Sequence, residues 1–519
     1  MAAPQTHFSD AYARLQEEFA TELGEERVAY GRAGQNVREE IVRCIWFGGH
    51  FPSSELTTED GRRLEVVSPG WWNVEGGPDF VRAELLLEGE GRTVGDVEVH
   101  TNASGWYAHG HDEQPEYNDV ALHVVLWNDR DDEGVRSEDG RLIPQLTLSR
   151  VIEEDLEELV EAMGPDEEPL PEQWRGVEGR YCGRAYREGA ISAEWLSGLL
   201  DAAGDHRILM RAAALTDLFQ NHSREQLLYE RLAEALGYKS NRMPFMQLAG
   251  VLPVSTLREL LPEGAESEEK SRLLEALYFT VGGFLDDGSD EHDPETADYV
   301  AALRRARDEI GEMPTQVRMT PDHWHFGGTR PVNYPTRRMA ALAGLYARRV
   351  HEGVFSHFLR LLTGTRPEGR QRADVALRNA FLQTFQRLHH PYWSRRCTLG
   401  GKKLNKDTAL VGRQRAMSIL VDVLLPMLLA HARAQEDGPL TTRLHGLWDG
   451  LPRRQGNSIT RRMCRVIFGD RQEARKVVDS TRRQQGLHQL YRDCCRTERG
   501  CERCVVYLAH KAGKNLAAL

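Results

Sequence analysis

The spacing of apolar residues along the chain changes from a mixed pattern to a purely helical one. Residues 37–48 place apolar side chains at helical spacing, with Ile41 and Ile45 on one face. Four β-branched or alternating runs follow, separated by glycine, proline and acidic turns. These runs are 63–70, 79–89, 93–100 and 119–129. The pattern predicts one helix, three strands, an irregular or short-helical crossover and a fourth strand.

From about residue 191 the apolar period becomes 3.6, which predicts a large helical region. A chain of 519 residues exceeds the usual domain length of about 100–200, so several units are expected. We predict an α+β protein with an α/β domain in residues 1–150, an acidic linker in 151–190, and a helical domain with a cysteine cluster in 191–519.

Charge is distributed unevenly along the chain, whose net charge is −13. Residues 151–172 hold ten acids and no base, whereas residues 453–504 hold thirteen Arg and one Lys against six acids. The net charge argues against a nonspecific coat for nucleic acid, but the basic segment allows a local contact. No secretory signal and no run of about 18 apolar residues is visible, so we expect a cytoplasmic protein without a membrane partner. The sequence leaves the oligomeric state open.

Acidic side chains and a histidine alternate in the third strand run. Asp96, Glu98 and His100 are two residues apart, so a strand would project all three from one face. Asp79 opens the preceding run, and Asp79 and Glu98 could converge on one cation if the two strands are neighbours. Carboxylate oxygens suit Mg²⁺ or Mn²⁺. The alternative is an ordinary solvated sheet face.

Histidines are concentrated directly after this strand. Since imidazole suits Zn²⁺ and Mn²⁺ better than Mg²⁺, a zinc site built from His100, His109, His111 and Asp112 is conceivable. His123 lies inside an apolar run, which favours a hydrogen-bonded core histidine.

Several motifs resemble a bacterial family known as domain of unknown function 2851. They are GGPDFVRAEL, GDVEVH, W-x2-H-x-H and EYNDVALHVV near the N-terminus, and KSNRMPFMQLAGVLP, FGGTRPVNYPTRRMAALAGLY and QQGLHQLYRDCC further on. The resemblance covers most of the chain, but the family name brings no activity with it.

More remotely, the N-terminal segment is similar to the PD-(D/E)xK nuclease superfamily, which has a restriction-endonuclease-like core. That resemblance implies metal-dependent catalysis by Asp79, Glu98 and His100, with Asp79 and Glu98 as ligands. From their places on the strand and directly after it, we add Asp96, His109 and His111 as auxiliary groups. Glu39 or Glu40 would match an acid on the first helix. His100 stands where the superfamily usually has Lys, so it would act as a base or become a metal ligand.

The C-terminal tail carries three closely spaced cysteines, Cys495, Cys501 and Cys504. With a fourth ligand they predict a structural Zn²⁺ or iron–sulfur site. Cys182 is our choice for that ligand because the set then resembles the cluster of some exonuclease relatives, although Cys464 and Cys494 are alternatives. The competing interpretation is a group of small buried apolar side chains.

Arginine clusters in the helical region are candidates for nucleic-acid contact, because guanidinium groups pair with phosphate oxygens. The residues are Arg330, Arg337, Arg461, Arg462 and Arg482. A structural joint around Arg330 and a solvated helix face further on are the alternatives.

Taken together, these features lead to a metal-dependent nuclease acting on DNA or RNA as the first hypothesis. The rivals are a non-catalytic nucleic-acid-binding or scaffold protein with a degenerate nuclease fold, and a zinc-dependent hydrolase. The sequence does not decide whether the protein is an enzyme.

Overall fold

A computed structural model shows an α+β architecture, with a mixed sheet near the N-terminus and a large helical region after it. It describes residues 8–20, 37, 39–48, 51, 56–73, 76–130, 132–152, 181–238, 240–285, 293–315, 319–326, 330–367, 372–469, 471–495 and 501–516. The predicted fold class is confirmed at this level.

The sheet has eight strands in the order β1-β2-β4-β5-β6-β8-β7, with β3 paired to β4. Strands β2, β4 and β5 are antiparallel neighbours, whereas β5, β6 and β8 run parallel. The strands are β1 (Leu56–Thr57), β2 (Arg63–Ser68), β3 (Trp71–Trp72), β4 (Phe80–Leu87), β5 (Gly91–Asn102), β6 (Val120–Trp127), β7 (Gly134–Arg136) and β8 (Leu142–Thr147). All four predicted strand runs are present.

One amphipathic helix covers this sheet, as the apolar spacing predicts. Ile41 and Ile45 of this helix are buried in the same core as Val97 and Val99 of β5. Burying a large aliphatic side chain contributes roughly 1.5–3 kcal/mol, so this face fixes the helix on the sheet. In chain order the first three helices are α1 (Ala11–Glu18), α2 (Glu39–Phe47), which is the covering helix, and α3 (Gly105–Ala108).

The connection between β5 and β6 is short and irregular, as predicted. It consists of α3 and two 3₁₀ turns, His111–Glu113 and Pro115–Tyr117. Gly105 is required at its start, because a Cβ there would lie 2.6 Å from the ring of His100. The connection therefore folds tightly over β5 and brings its own side chains onto that strand.

Helices form almost all of the regular structure described after residue 180. They are α4 (Tyr181–Arg187), α5 (Ala193–Asn221), α6 (Arg224–Gly237), α7 (Arg242–Val251), α8 (Val254–Leu260), α9 (Ser267–Val281), α10 (Pro294–Ile310), α11 (Pro335–Ala347), α12 (Val354–Gly364), α13 (Ala373–Gln386), α14 (Arg413–Ile419), α15 (Leu425–Ala434), α16 (Gly438–Asp449), α17 (Ser458–Phe468), α18 (Arg471–Val477), α19 (Thr481–Leu490) and α20 (Val505–Lys511). A π-helical turn, Leu420–Leu424, joins α14 to α15.

Helix α1 and the last part of the predicted linker pack against the helical region. Residues of α1 share an apolar core with α5, α17 and α19. The acidic part of the linker, residues 153–180, lies outside the described residues. Its last part forms α4, where Gly183 packs against the Val466 carbonyl oxygen, which a Cβ would approach to 2.2 Å. The sheet also touches the helical region, because Met243 of α7 lies in the core beneath α2.

One stretch, Arg413–Ala434, is long and apolar enough to cross a membrane by length and composition. Of its most apolar window, 72% is buried inside the protein, as in a core helix of a globular domain.

Candidate metal centre

Two buried carboxylates meet where β4 begins beside β5. Asp79 precedes β4, and its backbone N–H donates to Oε2 of Glu98 at 2.9 Å. The N–H of Val99 donates to Oδ2 of Asp79 at 3.1 Å. Asp79 is 7% exposed and Glu98 is 5% exposed. The predicted convergence of these two acids is therefore present.

Three histidines complete this cluster. Nε2 of His100 lies 3.1 Å from Nδ1 of His109 and 3.8 Å from Oε1 of Glu98, and Nε2 of His111 lies 3.3 Å from the same Glu98 oxygen. One ligand atom from each histidine falls within 4.8 Å of the other two. Two ligands at the usual bond length of about 2.1 Å around tetrahedral Zn²⁺ lie about 3.4 Å apart. The donor atoms are thus spaced as ligands of one ion.

A chain of buried side chains orients His100. Nδ1 of His123 donates to Oε1 of Gln145 at 3.0 Å, so Nε2 of His123 accepts the Nδ1–H of His100 at 2.9 Å. In this arrangement Nε2 of His100 keeps its lone pair and faces the cluster. His123, which is fully buried, is the hydrogen-bonded core histidine that its apolar surroundings predict.

His111 is oriented by a separate set of contacts. Its Nδ1 donates to Oε1 of Gln114 at 3.1 Å, and its ring stacks on Tyr117 with the centroids 3.8 Å apart. Its Nε2 is buried without a hydrogen-bond partner of acceptable geometry. A buried nitrogen in this state is available to a cation.

The covering helix α2 adds one acidic and one positively charged side chain to the site. Oε1 of Glu39 lies 4.0 Å from Nε2 of His100. Arg43, one turn later, pairs with Oδ1 of Asp79 at 3.0 Å and with Glu39 at 3.5 Å. The acid that contacts the site is therefore Glu39, whereas the side chain of Glu40, our other candidate, lies outside the described part of the chain.

Burial and mutual repulsion disfavour full ionisation of the acid pair. Burial, and then the charge of Glu98, raise the pKa of Asp79 to about 8, while Arg43 opposes this shift. Two adjacent carboxylates in a low-dielectric site repel each other unless a cation lies between them.

The pKa values of His100 and His111 are shifted in opposite directions. Burial, reinforced by His123, lowers the pKa of His100 to about 2. Burial acts on His111 in the same sense, but the contacts to Glu98 and Gln114 outweigh it and raise the pKa of His111. Positive charge is therefore favoured between Glu98 and His111, and disfavoured at His100, which suits a neutral ligand.

Two other acids predicted for this site lie in different contacts. Asp96 accepts the N–H of Arg82 at 3.0 Å, and Arg82 has a φ of 56° in a bulge of β4. Asp96 thus stabilises the bulge. Asp112 is half-exposed on the 3₁₀ turn. Glu98 occupies the place that we predicted for Asp112 as the carboxylate beside the three histidines.

The tail cysteines lie in or beside the apolar core formed by α1, α5, α17 and α19. Cys494 and Cys495 are buried, and Cys182 and Cys504 pack against the same core. A side-chain contact with Cys504, followed by burial, raises the pKa of Cys494. Cys494 and Cys504 are therefore in side-chain contact. Three or more metal-ligating side chains within ligand distance occur, among the residues described, only at the histidine cluster.

The predicted nucleic-acid contacts differ in exposure. Arg482 is buried and pairs with Asp205 at 2.6 Å, and Arg337 is buried and donates to the Trp393 carbonyl oxygen at 2.9 Å. Both side chains face protein partners. Arg330 and Arg461 are exposed, and Arg462 donates to the Tyr491 hydroxyl at 3.1 Å.

The fold and site define an α+β protein whose mixed sheet carries a cluster of histidine and carboxylate side chains, buried except for the exposed His109. Residues 39–457 match the family model described as Protein of unknown function (DUF2851), and the chain belongs to this family. The resemblance to this family noted in the sequence is thereby confirmed, while the similarity to the nuclease superfamily stays a prediction. No curated protein and no solved structure matches the chain.

Proposed function

We propose that this protein is a metal-dependent hydrolase that cleaves phosphodiester bonds in nucleic acid. The observation that carries the proposal is the spacing of donor atoms around Glu98, His100, His109 and His111. Such a set fits a bound transition metal, since it places a carboxylate and three imidazoles together on a sheet, with His109 exposed and the other three side chains buried.

The order of elements supports nucleic acid as the substrate. Helix α2, the antiparallel strands β2, β4 and β5, the crossover and the parallel strand β6 follow the arrangement of the PD-(D/E)xK nuclease core. In this proposal Asp79 and Glu98 correspond to the two acidic positions of that motif. This is a fold-level analogy, so the substrate rests on it while the metal site rests on the donor atoms.

The donor set also selects the metal. Three imidazole nitrogens and a carboxylate suit Mn²⁺ or Zn²⁺ better than Mg²⁺, which prefers oxygen ligands. When bound, such an ion supplies a water of lowered pKa and polarises a phosphoryl oxygen.

The chain's own groups have separate tasks around this position. His123 and Gln145 hold the lone pair of His100 toward the cluster. Arg43, whose side chain is 26% exposed, can meet the negative charge of a phosphate while it also balances Asp79. His100 therefore serves as a ligand and not as the base that replaces the superfamily's Lys.

The second candidate is a zinc-dependent hydrolase with a substrate other than nucleic acid. It is favoured by the three histidines, which are typical of catalytic zinc sites. A scaffold that retains the fold without catalysis is the third outcome to be tested.

The test incubates purified protein with single-stranded and double-stranded DNA and RNA in EDTA, Mg²⁺, Mn²⁺ or Zn²⁺. We expect cleavage with Mn²⁺ or Zn²⁺, and a loss of at least about 100-fold in Glu98→Gln and His111→Gln. The matched controls are Glu84→Gln, at a half-exposed position on the neighbouring strand, and His222→Gln, at an exposed position, and both should leave the rate unchanged.

The outcomes separate the candidates. Metal binding without cleavage of any nucleic acid would favour the zinc hydrolase of another substrate. Nucleic-acid binding without either metal binding or cleavage would favour the scaffold. Cleavage that survives both site variants would place the chemistry elsewhere and overturn the proposal.

A further inference from the structure

Two arginines lie against one tyrosine at the start of α11, far along the chain from the candidate metal centre. The guanidinium carbon of Arg415 is 3.4 Å from the ring centroid of Tyr238, and that of Arg338 is 5.0 Å from it. Nη2 of Arg338 also donates to the Tyr238 hydroxyl at 3.1 Å. Tyr238 has a φ of 56°, an uncommon conformation for a residue with a side chain. The strained backbone thus belongs to the tyrosine that both guanidinium groups contact.

These cations have no carboxylate partner in the described part of the chain. Arg338 is 2% exposed and bonds only to neutral oxygens, which are the carbonyls of Leu410 and Val332, Asn333 Oδ1 and the Tyr238 hydroxyl. Its Nε is buried without a partner. Burial, with Arg415 acting in the same direction, lowers the pKa of Arg338 to about 10, so it remains charged at neutral pH. A buried charge normally has a counter-charge.

The helix that carries Arg338 adds to this excess of positive charge. Helix α11 has 13 residues, begins at Pro335, and receives no side-chain cap. Its first turn contains two arginines, Arg337 and Arg338, where the helix dipole favours acids. The hydroxyl of Thr336 in that turn is buried and has no hydrogen-bond partner among the residues that the structure describes. Arg337 already donates to protein oxygens, so the groups of this turn that an anion would satisfy are the Thr336 hydroxyl and Nε of Arg338.

We propose that Arg338, Arg415 and the first turn of α11 form a binding site for a phosphate group. Arg415 and Tyr238 are half-exposed and give the approach from solvent, while Arg338 forms the inner wall. The site does not depend on the metal centre. Only the assignment of the phosphate to a nucleic-acid strand rests on the proposed function.

The cluster connects to the sheet through α7. Asn241 precedes α7. Its Oδ1 accepts the N–H of His325 and its Nδ2 donates to the His325 carbonyl oxygen, both at 2.8 Å. Met243 in the first turn of α7 packs beneath α2, which supplies Glu39 and Arg43 to the metal centre. A nucleic-acid strand that contacts both the phosphate site and the metal centre would be positioned by the first and cleaved at the second.

The first test measures the thermal unfolding midpoint in inorganic phosphate against chloride at equal ionic strength, with EDTA present. We expect phosphate to raise the midpoint of the wild type, and Arg415→Gln to reduce that rise by roughly half or more. Arg413→Gln, an exposed neighbour on the same helix, is the matched control and should respond as the wild type does. Arg415 is chosen over Arg338 because Arg338 is buried and Arg338→Gln risks misfolding. Tyr238→Phe, which removes the hydroxyl that Arg338 contacts, serves as the second variant.

The second test identifies the source of the phosphate by fluorescence anisotropy in EDTA. It compares an oligonucleotide with a 5′-phosphate, the same strand with a 5′-hydroxyl, and inorganic phosphate as competitor. We expect Arg415→Gln to weaken strand binding roughly tenfold, with the control unchanged. Preference for the 5′-phosphate would assign a strand end, and equal binding would assign an internal phosphodiester.

Failure of this inference differs from failure of the proposed function. If phosphate gives no stabilisation and Arg415→Gln binds the strand like the wild type, the phosphate site is wrong even where cleavage occurs. If phosphate binding is lost in Arg415→Gln while the wild type cleaves nothing in any metal, the phosphate site stands and the nuclease proposal falls.

Discussion

Buried charges are treated differently in the sheet and in the C-terminal helices. In the helical region Arg482 pairs with Asp205 and Asp449, and Arg483 pairs with Asp201. In the sheet, Asp79 and Glu98 lie beside each other. Among the described residues, Arg43 is the permanently charged cation that contacts this pair. Burial of charge alone therefore does not mark a functional site. A deficit of opposite charge does, because it requires a ligand to complete it.

The largest expected effect comes from breaking a compensated network. Asp205 is fully buried and accepts from Arg482, Trp448 and the N–H of Ser9. Asp205→Asn leaves Arg482 without its buried partner, so we expect a loss of about 3–5 kcal/mol in the free energy of unfolding. Urea denaturation measures it, and metal binding by the folded variant should be unchanged. A loss below about 1 kcal/mol would show that this pair does not differ from a surface pair.

The next effect concerns the orientation of His100. Gln145→Met removes the acceptor for His123 and with it the fixed tautomer of His100, so we expect metal affinity to fall about 10- to 100-fold. Gln145→Glu keeps an acceptor oxygen and should retain most of the affinity. Calorimetric titration with Mn²⁺ or Zn²⁺ gives both values. Equal metal affinity in the two variants would show that the Gln145 acceptor does not orient His100.

A smaller effect of the opposite sign is expected at the acid pair itself. Glu98→Gln removes a repelling charge but keeps an acceptor for the Asp79 N–H. In EDTA we expect the free energy of unfolding to stay the same or rise by up to about 1 kcal/mol. Denaturation in EDTA measures this change. A loss comparable to that of Asp205→Asn would erase the distinction between the two regions.

The smallest effect is expected at an exposed ion pair on the same sheet. Glu84 and Arg92 pair across β4 and β5 with exposed side chains. Glu84→Gln should change the free energy of unfolding by less than about 1 kcal/mol, since surface pairs are screened by solvent. The same denaturation experiment provides the value, and a larger loss would mean that charge on this sheet acts independently of burial.

Local patterns in the sequence predicted the strands and the ligands carried by them. Glu98 and His100 were identified because alternation on a strand places residues two apart on one face, and Asp79 because it opens the preceding strand run. His109 and His111 followed from their closeness in sequence to His100. The helical region was predicted by its 3.6-residue period, and the covering helix by the spacing of Ile41 and Ile45.

The contacts that depend on tertiary pairing were not predictable. Gln145 reaches His123 only because β8 pairs parallel to β6, and no local signal announces that neighbour. Asp96 was expected to join the site, but the bulge of β4 presents the Arg82 N–H to its carboxylate instead. Whether Arg482 faces solvent or Asp205 depends on contacts between α19 and α5, which are far apart in sequence.

The most direct measurement is the metal content and metal affinity of the purified protein, since we propose that the sheet cluster binds a cation. Elemental analysis after loading with Mn²⁺ or Zn²⁺, followed by calorimetric titration, should give one tightly bound ion per chain at this site. His111→Gln and Glu98→Gln should lose that ion, and His222→Gln should retain it. A wild type that binds no ion, or variants that bind it as the wild type does, would contradict the account.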